Sequence, residues 1–388
     1  MKLKQKPEDF IVEEQTSLNF SNDKQAHRVY IMEKQEIDTF ESLKIIADKH
    51  GIPLRDIGYA GLKDKHAITR QYISIPTHYN INDFDTKSIR LYCVGYHNKK
   101  IKIGDLIGNK FQLTIRDIKE EEIKDIEETR NSIIKYGVPN YFDSQRFGSV
   151  INNEFIIKHV IKKDYEAAVK MYLTSYLKSE PKRIKNEKRM ILSKWGNIDA
   201  VLVKTSSLSR VINEYKNTRN WLNAYKKIPR HLREMYVNAY QSYLWNECVK
   251  QILKKHVDKD RLYTVGYNIG TLLFFTELKE AEIENMPRLF PTLSKDVVLS
   301  DSQQEIVRCI LKKEGLELHE LDIESDTGNF FKTRQREAII KPEALRISKA
   351  ERDELNSKSN QKRYKITVRF NLPQGCYATL ITKRLFGH

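Results

Sequence analysis

Cysteine is sparse: Cys93, Cys248, Cys309 and Cys376 are far apart and form no C-x-x-C pair. That argues against a zinc ribbon or a disulfide framework and fits a reduced, cytoplasmic protein. The ten histidines are scattered with no pair at ligand spacing, and neither H-E-x-x-H nor the H-x-E plus P-C-x-x-C signature of nucleobase deaminases occurs. Also missing are a G-x-x-x-x-G-K-[ST] loop, a G-x-G-x-x-G turn after a strand and a G-x-S-x-G elbow. Nucleotide hydrolysis, hydride transfer and zinc chemistry all lose ground. No apolar run approaches the roughly 18 residues of a membrane span; the best candidate, "IGTLLFF" at 269–275, is core-sized. The start, "MKLKQKPEDF", is charged and has no apolar stretch, so no signal peptide is expected.

What the chain has in excess is positive charge. Sixty-eight Lys and Arg against 52 Asp and Glu give a net charge of +16, which makes a polyanion, nucleic acid first, the favoured partner. A length of 388 residues allows two domains with cores of their own.

The first 150 residues read as mixed α and β. "FIVEEQ" alternates as a strand, and "TFESLKIIADKHGI" is a helix with Thr39 as N-cap and Gly51 as its stop. "DIGYAG", "RQYISI" and "NKFQLTIRDI" read as strands, and "KEEEIKDIEETRNSIIKYG" as an amphipathic helix with acids at its start. From 153 the texture becomes helical: one long pattern over 153–177, a basic stretch over 181–195, and a long amphipathic helix over 231–256. A last alternating strand is expected over 363–381. This suggests a helical insertion within a sheet domain whose final strand comes from the C-terminus.

Four segments could carry chemistry. In "GLKDKHAIT", Asp64 stands between Lys63 and Lys65 in a loop joining two strands, and Arg70 follows. Neighbouring cations favour the ionised carboxylate, which suits a nucleophile rather than a general acid, and the same lysines attract a phosphate backbone. On spacing alone, an ordinary acidic residue in a hairpin turn is the favoured reading. In "GVPNYFDSQRFGS", aromatic rings, an amide and a guanidinium in one irregular loop are what an unstacked base needs; the plainer reading makes Tyr141 and Phe147 core anchors. "LKQKPEDFIVEE" reads as a strand entry, and "RFNLPQGCYAT", broken by Pro373 and Gly375, as a strand edge or bulge.

Together and in this order the four segments resemble the TruD family of tRNA pseudouridine synthases. The matching residues are Pro7-Glu8-Asp9-Phe10; Gly61, Lys63, Asp64, Ala67, Thr69 and Gln71; Asn140-Tyr141-Phe142 with Gln145-Arg146-Phe147-Gly148; and Phe370, Leu372, Pro373 and Tyr377-Ala378-Thr379. The resemblance implies an α+β pseudouridine synthase core, a mixed and largely antiparallel sheet flanked by helices, over 1–152 and 341–388. It places a helix-rich α+β TruD-type insertion domain, contributing to RNA binding, over 153–340.

It also implies isomerisation of a uridine in tRNA to pseudouridine, without metal or organic cofactor, by an aspartate acting on a flipped-out base. Bacterial relatives act on uridine thirteen of the D-arm, and other relatives on other sites and RNAs. Asp64 then matches the nucleophile, attacking C6 of the uracil or C1′ of the ribose. Lys4 matches the basic residue paired with it, Lys6 being the nearby rival. Phe142 matches the aromatic that stacks on the target base, and Asn140 a polar group of the same pocket. Lys63, Lys65, Gln71, Gln145, Arg146 and Phe147 are expected to contact RNA or support the site. No membrane and no obligate protein partner are implied, and a monomer is expected. The alternative is a non-catalytic RNA-binding or RNA-chaperone protein on the same fold.

Two departures from the family pattern stand out. Asp143 replaces the usual glycine and is expected to face solvent. Lys383 and Arg384 stand where the family often has an Arg-Glu pair.

Overall fold

The computed structural model of the protein describes residues 1–81 and 84–387. Its contacts divide the chain into two compact units, Met1–Val138 with Lys341–His388, and Pro139–Ile340.

The first unit is a mixed sheet with helices. Its strands are β1 (Phe10–Thr16), β2 (His27–Gln35), β3 (Gly58–Tyr59), β4 (Ile68–Pro76), β5 (Ile89–His97), β6 (Leu106–Ile118) and, from the C-terminal segment, Glu343–Ile347, Glu351–Arg352 and Tyr364–Pro373. The main order runs Glu343–Ile347, Tyr364–Pro373, β6, β1, β4, β2, β5. Of the pairings in this sheet only β1 with β4 is parallel, Ile11 opposite Ile68 and Val12 opposite Thr69. The remaining neighbours run antiparallel, as in β2 with β4, where Lys34 faces Thr69.

Two consequences position the site. Parallel neighbours begin at the same end of a sheet, so the segment before Phe10 and the loop before Ile68 come together. An antiparallel neighbour ends where its partner begins, so the last residues of β2 reach the same place.

Helix α1 (Thr39–His50) ends at Gly51, whose φ of 62° is the left-handed conformation that glycine adopts without strain. Its N-cap is Asp38, which accepts from the Glu41 N–H at 2.9 Å, and not Thr39 as expected. Aspartate one residue earlier takes the capping role, and the Thr39 hydroxyl is used inside the unit instead. Helix α2 (Ile126–Tyr136) follows β6. The C-terminal segment departs from the expected strand: after Pro373 the chain turns at Gly375, with φ of 80°, and Ala378–Phe386 is a helix. Arg384 there is buried and donates to the Ser132 hydroxyl of α2 at 3.0 Å.

The second unit is helix-rich, built around the 27-residue helix Arg230–His256, with the hairpin Leu262–Tyr267 and Gly270–Phe275 and further short elements. The helical pattern at 153–177 forms two helices, Ile156–Ile161 and Tyr165–Thr174. Lys163 turns left-handed between them, and Asp164 caps the second by accepting from Ala167 N–H at 3.0 Å. The stretch 139–152, expected with the sheet domain, packs in this unit. Its side chains explain why: the buried Tyr141 donates to the Leu273 carbonyl at 2.7 Å, and Phe147 sits edge-on to Tyr267.

Candidate active site

Asp64 lies in the loop between β3 and β4, and the parallel pairing of β1 with β4 brings the N-terminal segment to it. Lys4 Nζ stands 3.1 Å from Asp64 Oδ2, with the Asp64 side chain 20% exposed. Lys4 has a φ of 56°, a conformation a non-glycine residue holds only when its surroundings enforce it. They do. Lys2 pairs backbone to backbone with Arg116, at 2.7 and 2.9 Å, on one side of Lys4. On the other side the Lys6 N–H donates to Asp9 Oδ2 at 3.0 Å, closing the turn Pro7–Asp9. The Lys4 ammonium also lies 3.9 Å from the centroid of the Phe10 ring. Lys6, the rival, points to Glu354 at 3.8 Å.

The loop's main chain is bonded from below by buried side chains. Gln71 Nε2 donates to the Gly61 carbonyl at 3.2 Å. The Thr39 hydroxyl donates to Gln71 Oε1 at 3.1 Å and accepts from the Lys63 N–H at 3.0 Å. Lys34 Nζ donates to the carbonyls of Asp64 at 2.8 Å, Ile37 at 2.9 Å and Lys63 at 3.4 Å. Burial pushes the Lys34 ammonium down to about 8, against the pull of the Asp64 and Asp38 carboxylates.

The two flanking lysines do different things. Lys63 turns inward, its Nζ 2.8 Å from Glu14 Oε1, with side-chain exposures of 8% and 1%. This corrects the expectation that it presents charge to RNA. Glu14 also accepts from the Tyr72 N–H at 2.8 Å, and burial pushes its carboxyl up while Lys63 and that N–H oppose the rise. Lys65 is exposed.

In the second unit, Asn140 and Phe142 form one bonded cluster with the helix Arg230–His256. Trp245 Nε1 donates to the Asn140 carbonyl at 2.9 Å. Asn246 brackets Phe142, accepting from its N–H and donating to its carbonyl, both at 2.8 Å. The Asn140 side chain donates to the Glu337 carbonyl at 2.9 Å and accepts from Arg336 at 2.8 Å. The Phe142 ring is 9% exposed, with the Arg336 and Arg146 guanidiniums 4.3 and 5.2 Å from its centroid. Phe147 is a core anchor, and Gln145 is exposed. Asp143, expected to face solvent, is buried and accepts from the Ser144 N–H at 2.7 Å, because it caps the short turn Ser144–Phe147.

Sequence reasoning does not single out Lys34, Glu14 or Arg336, and it gives Thr39 only a capping role. Two of them carried a signal: Phe10-Val12-Glu14 and Tyr30-Met32-Lys34 are the inward phases of β1 and β2, and a charge in an inward phase needs a buried partner. Among the described residues no three His, Cys, Asp or Glu side chains gather as a metal site, and no helix is long and apolar enough to cross a membrane.

The profile of tRNA pseudouridine synthase D (TruD) matches residues 1–385. A probable tRNA pseudouridine synthase D 2 of Methanocaldococcus jannaschii is 42% identical over 100% of this chain and 92% of its own length. The tRNA pseudouridine synthase D of Aquifex aeolicus is 30% identical over 100% of this chain and 98% of its own. In fold, the chain resembles the crystal structure of a tRNA pseudouridine synthase D candidate from Methanosarcina mazei. The TM-score is 0.73 at 24% identity, over 100% of this chain and 93% of that one.

Proposed function

The chain belongs to the tRNA pseudouridine synthase D family, and on that premise we propose that it isomerises uridine thirteen of the tRNA D-arm with Asp64 as the nucleophile. The family activity is that of an isomerase acting on tRNA. The bond from ribose C1′ to uracil N1 breaks, a bond from C1′ to C5 replaces it, C5 loses a proton and N1 gains one. The proposal needs no cofactor, because a single carboxylate adding to C1′ or C6 opens the route to both bond changes.

The observation that carries it is the Lys4–Asp64 pair, a partly exposed carboxylate 3.1 Å from an ammonium held in a strained backbone conformation. A uridine within folded tRNA reaches that carboxylate only when flipped out, at a cost of a few kcal/mol. In this reading Phe142 offsets part of that cost by stacking, Asn140 presents a polar edge to the base, and Arg336 and Arg146 stand beside the ring for phosphate. Met1–Val138 with Lys341–His388 is the catalytic domain and Pro139–Ile340 the insertion domain that adds RNA contacts, among them the exposed Lys182, Arg183, Arg189 and Lys194. The protein acts as a cytoplasmic monomer, and tRNA is its substrate.

Incubation of unmodified tRNA with wild type and Asp64→Ala, in chelator and without added cofactor, tests this. Pseudouridine at D-arm uridine thirteen with wild type and none with the variant is the expected result. Modification by the variant would overturn the nucleophile assignment. Binding without modification by wild type would favour a binding-only protein.

A further inference from the structure

Beneath the Asp64 loop lies a second lysine that the chemistry above does not use. Lys34 is 1% exposed, and its ammonium hydrogen bonds go to carbonyls: Asp64 at 2.8 Å, Ile37 at 2.9 Å and, more weakly, Lys63 at 3.4 Å. An ammonium supplies three donors and no acceptor, so three carbonyls match its charged form. A neutral amine has two donors and turns a lone pair toward the third carbonyl. Methionine would fill a similar volume without the cost of burying a charge. That cost therefore returns something other than packing.

We propose that Lys34 is a positioning residue for the isomerisation: its buried ammonium holds the main chain of Lys63 and Asp64 so that the Asp64 carboxylate is presented to the flipped uridine beside Lys4. The inference rests on Asp64 being the nucleophile. The groups that face Lys34 are few. The loop offers Asp64 and Lys63, and the segment before α1 offers Asp38 and the Ile37 carbonyl. Its strand partners, Thr69 on β4 and Ile89 on β5, do not titrate in this range. With burial bringing Lys34 to about 8, raising the pH past that value discharges it and removes one donor.

The sign separates positioning from mere stability. The folded chain releases this proton at about 8, whereas an exposed lysine holds it to 10.5. Between those values the unfolded chain binds more protons, so this group's contribution to stability rises with pH. The contributions of Lys34 to rate and to stability therefore move in opposite directions above about pH 8.

The test measures single-turnover rate at saturating enzyme, tRNA affinity and melting temperature across this range for wild type, Lys34→Met and Asp64→Ala. Expected for Lys34→Met is a rate loss on the order of tenfold to a hundredfold, affinity within about twofold because phosphate contacts dominate binding, and none of the alkaline fall seen in wild type near pH 8. A folded Lys34→Met with wild-type rate, or with the same alkaline fall, overturns the proposal. If Lys34→Met does not fold, wild type decides: a rate that falls near pH 8 while the melting temperature holds or rises supports it, and a rate with no fall there overturns it. An active Asp64→Ala sinks the nucleophile reading whatever Lys34 does; an inactive Asp64→Ala beside a fully active Lys34→Met sinks this inference alone.

Discussion

Arg116 and Asp9 form a buried pair, the Arg116 Nε donating to both carboxylate oxygens at 2.9 and 3.0 Å. A terminal nitrogen of the same guanidinium reaches Asp353 at 3.1 Å and Glu354 at 3.0 Å. One side chain on β6 thus fixes the N-terminal turn and the C-terminal segment together, and Lys4 lies between the two points where its segment is fastened to this assembly. Asp9→Ala takes the acceptor of Nε from a buried guanidinium that keeps Asp353 and Glu354, which costs about 1–3 kcal/mol. It should lower the melting temperature and, by loosening Lys4, the rate. The double variant Asp9→Ala with Arg116→Met should melt no higher than the single one, because Asp353 and Glu354 then lose the same guanidinium, and thermal denaturation of the pair of variants checks it.

The same network contributes to stability against acid. Glu354 is held down to about 2 from 4.5 by Lys365 first and by Arg116 among others. Asp353 is held below 3.8: burial alone would raise it, and the Asp117 and Leu355 N–H groups, Asn356 and Arg116 outweigh that. Both carboxylates bind protons at lower pH folded than unfolded, so their contribution is complete above about 4.5 and is lost as pH falls toward 2. Acid unfolding followed by circular dichroism should show its midpoint in this window. Arg116→Met should move that midpoint up, because the carboxylates then protonate more readily in the folded chain.

Lys63 and Lys65 look alike in sequence and should separate in experiment. Lys63→Ala strands the buried Glu14 carboxylate, so stability should fall by about 3–5 kcal/mol, and Lys63→Met with Glu14→Gln should recover part of it. The salt dependence of tRNA binding should not change, since the Lys63 ammonium is spent on Glu14. Lys65→Ala should leave the melting temperature alone and reduce the slope of log K against log salt by about 1 if it meets a phosphate. Binding titrations over a salt series distinguish them, and a reduced slope for Lys63→Ala would contradict the inward placement.

That contrast shows where sequence reading stops. The strands FIVEEQ, RQYISI and NKFQLTIRDI, the helix from Thr39 and the long helix near 230–256 follow from periodicity, which needs only neighbours along the chain. Charge and spacing offer Lys4 and Lys6 alike beside Asp64 and only motif resemblance orders them; in the structure Lys4 stands 3.1 Å from Asp64 and Lys6 3.8 Å from Glu354. Lys34 and Glu14 were hidden because a charged residue in an alternating strand ordinarily faces water. Strand phase, shared with Met32 and Val12, only hints at the inward face, and partners distant in sequence fix it, here Thr69 opposite Lys34 and Asn109 opposite Glu14. The strand expected over 363–381 takes in the first turn of the helix Ala378–Phe386, because the apolar Leu380 and Ile381 prolong the alternation of a true strand past Pro373 and Gly375. The Gly375 turn, and not the pattern, ends the strand.

Gly61, three residues before Asp64 in the same loop, is not demanded by its own fold. Its φ is not among the left-handed ones, and a Cβ added there would meet nothing within 4 Å. Glycine in an ordinary conformation costs about 0.4–1 kcal/mol relative to alanine, through the freedom of the unfolded chain. Where the chain itself leaves room, the remaining use of a missing side chain is close approach of the backbone to something bound. Gly61→Ala should therefore melt at or slightly above the wild-type temperature while its kcat/KM on tRNA falls, and Gly61→Val should fall further with the fold intact. The loss should appear in single-turnover rate more than in tRNA affinity, because a methyl group projecting from this loop obstructs the flipped base and leaves the phosphate contacts untouched. Wild-type kinetics for both variants would mean that substrate keeps its distance from this part of the loop. A lower melting temperature for Gly61→Ala would mean that glycine serves the fold after all.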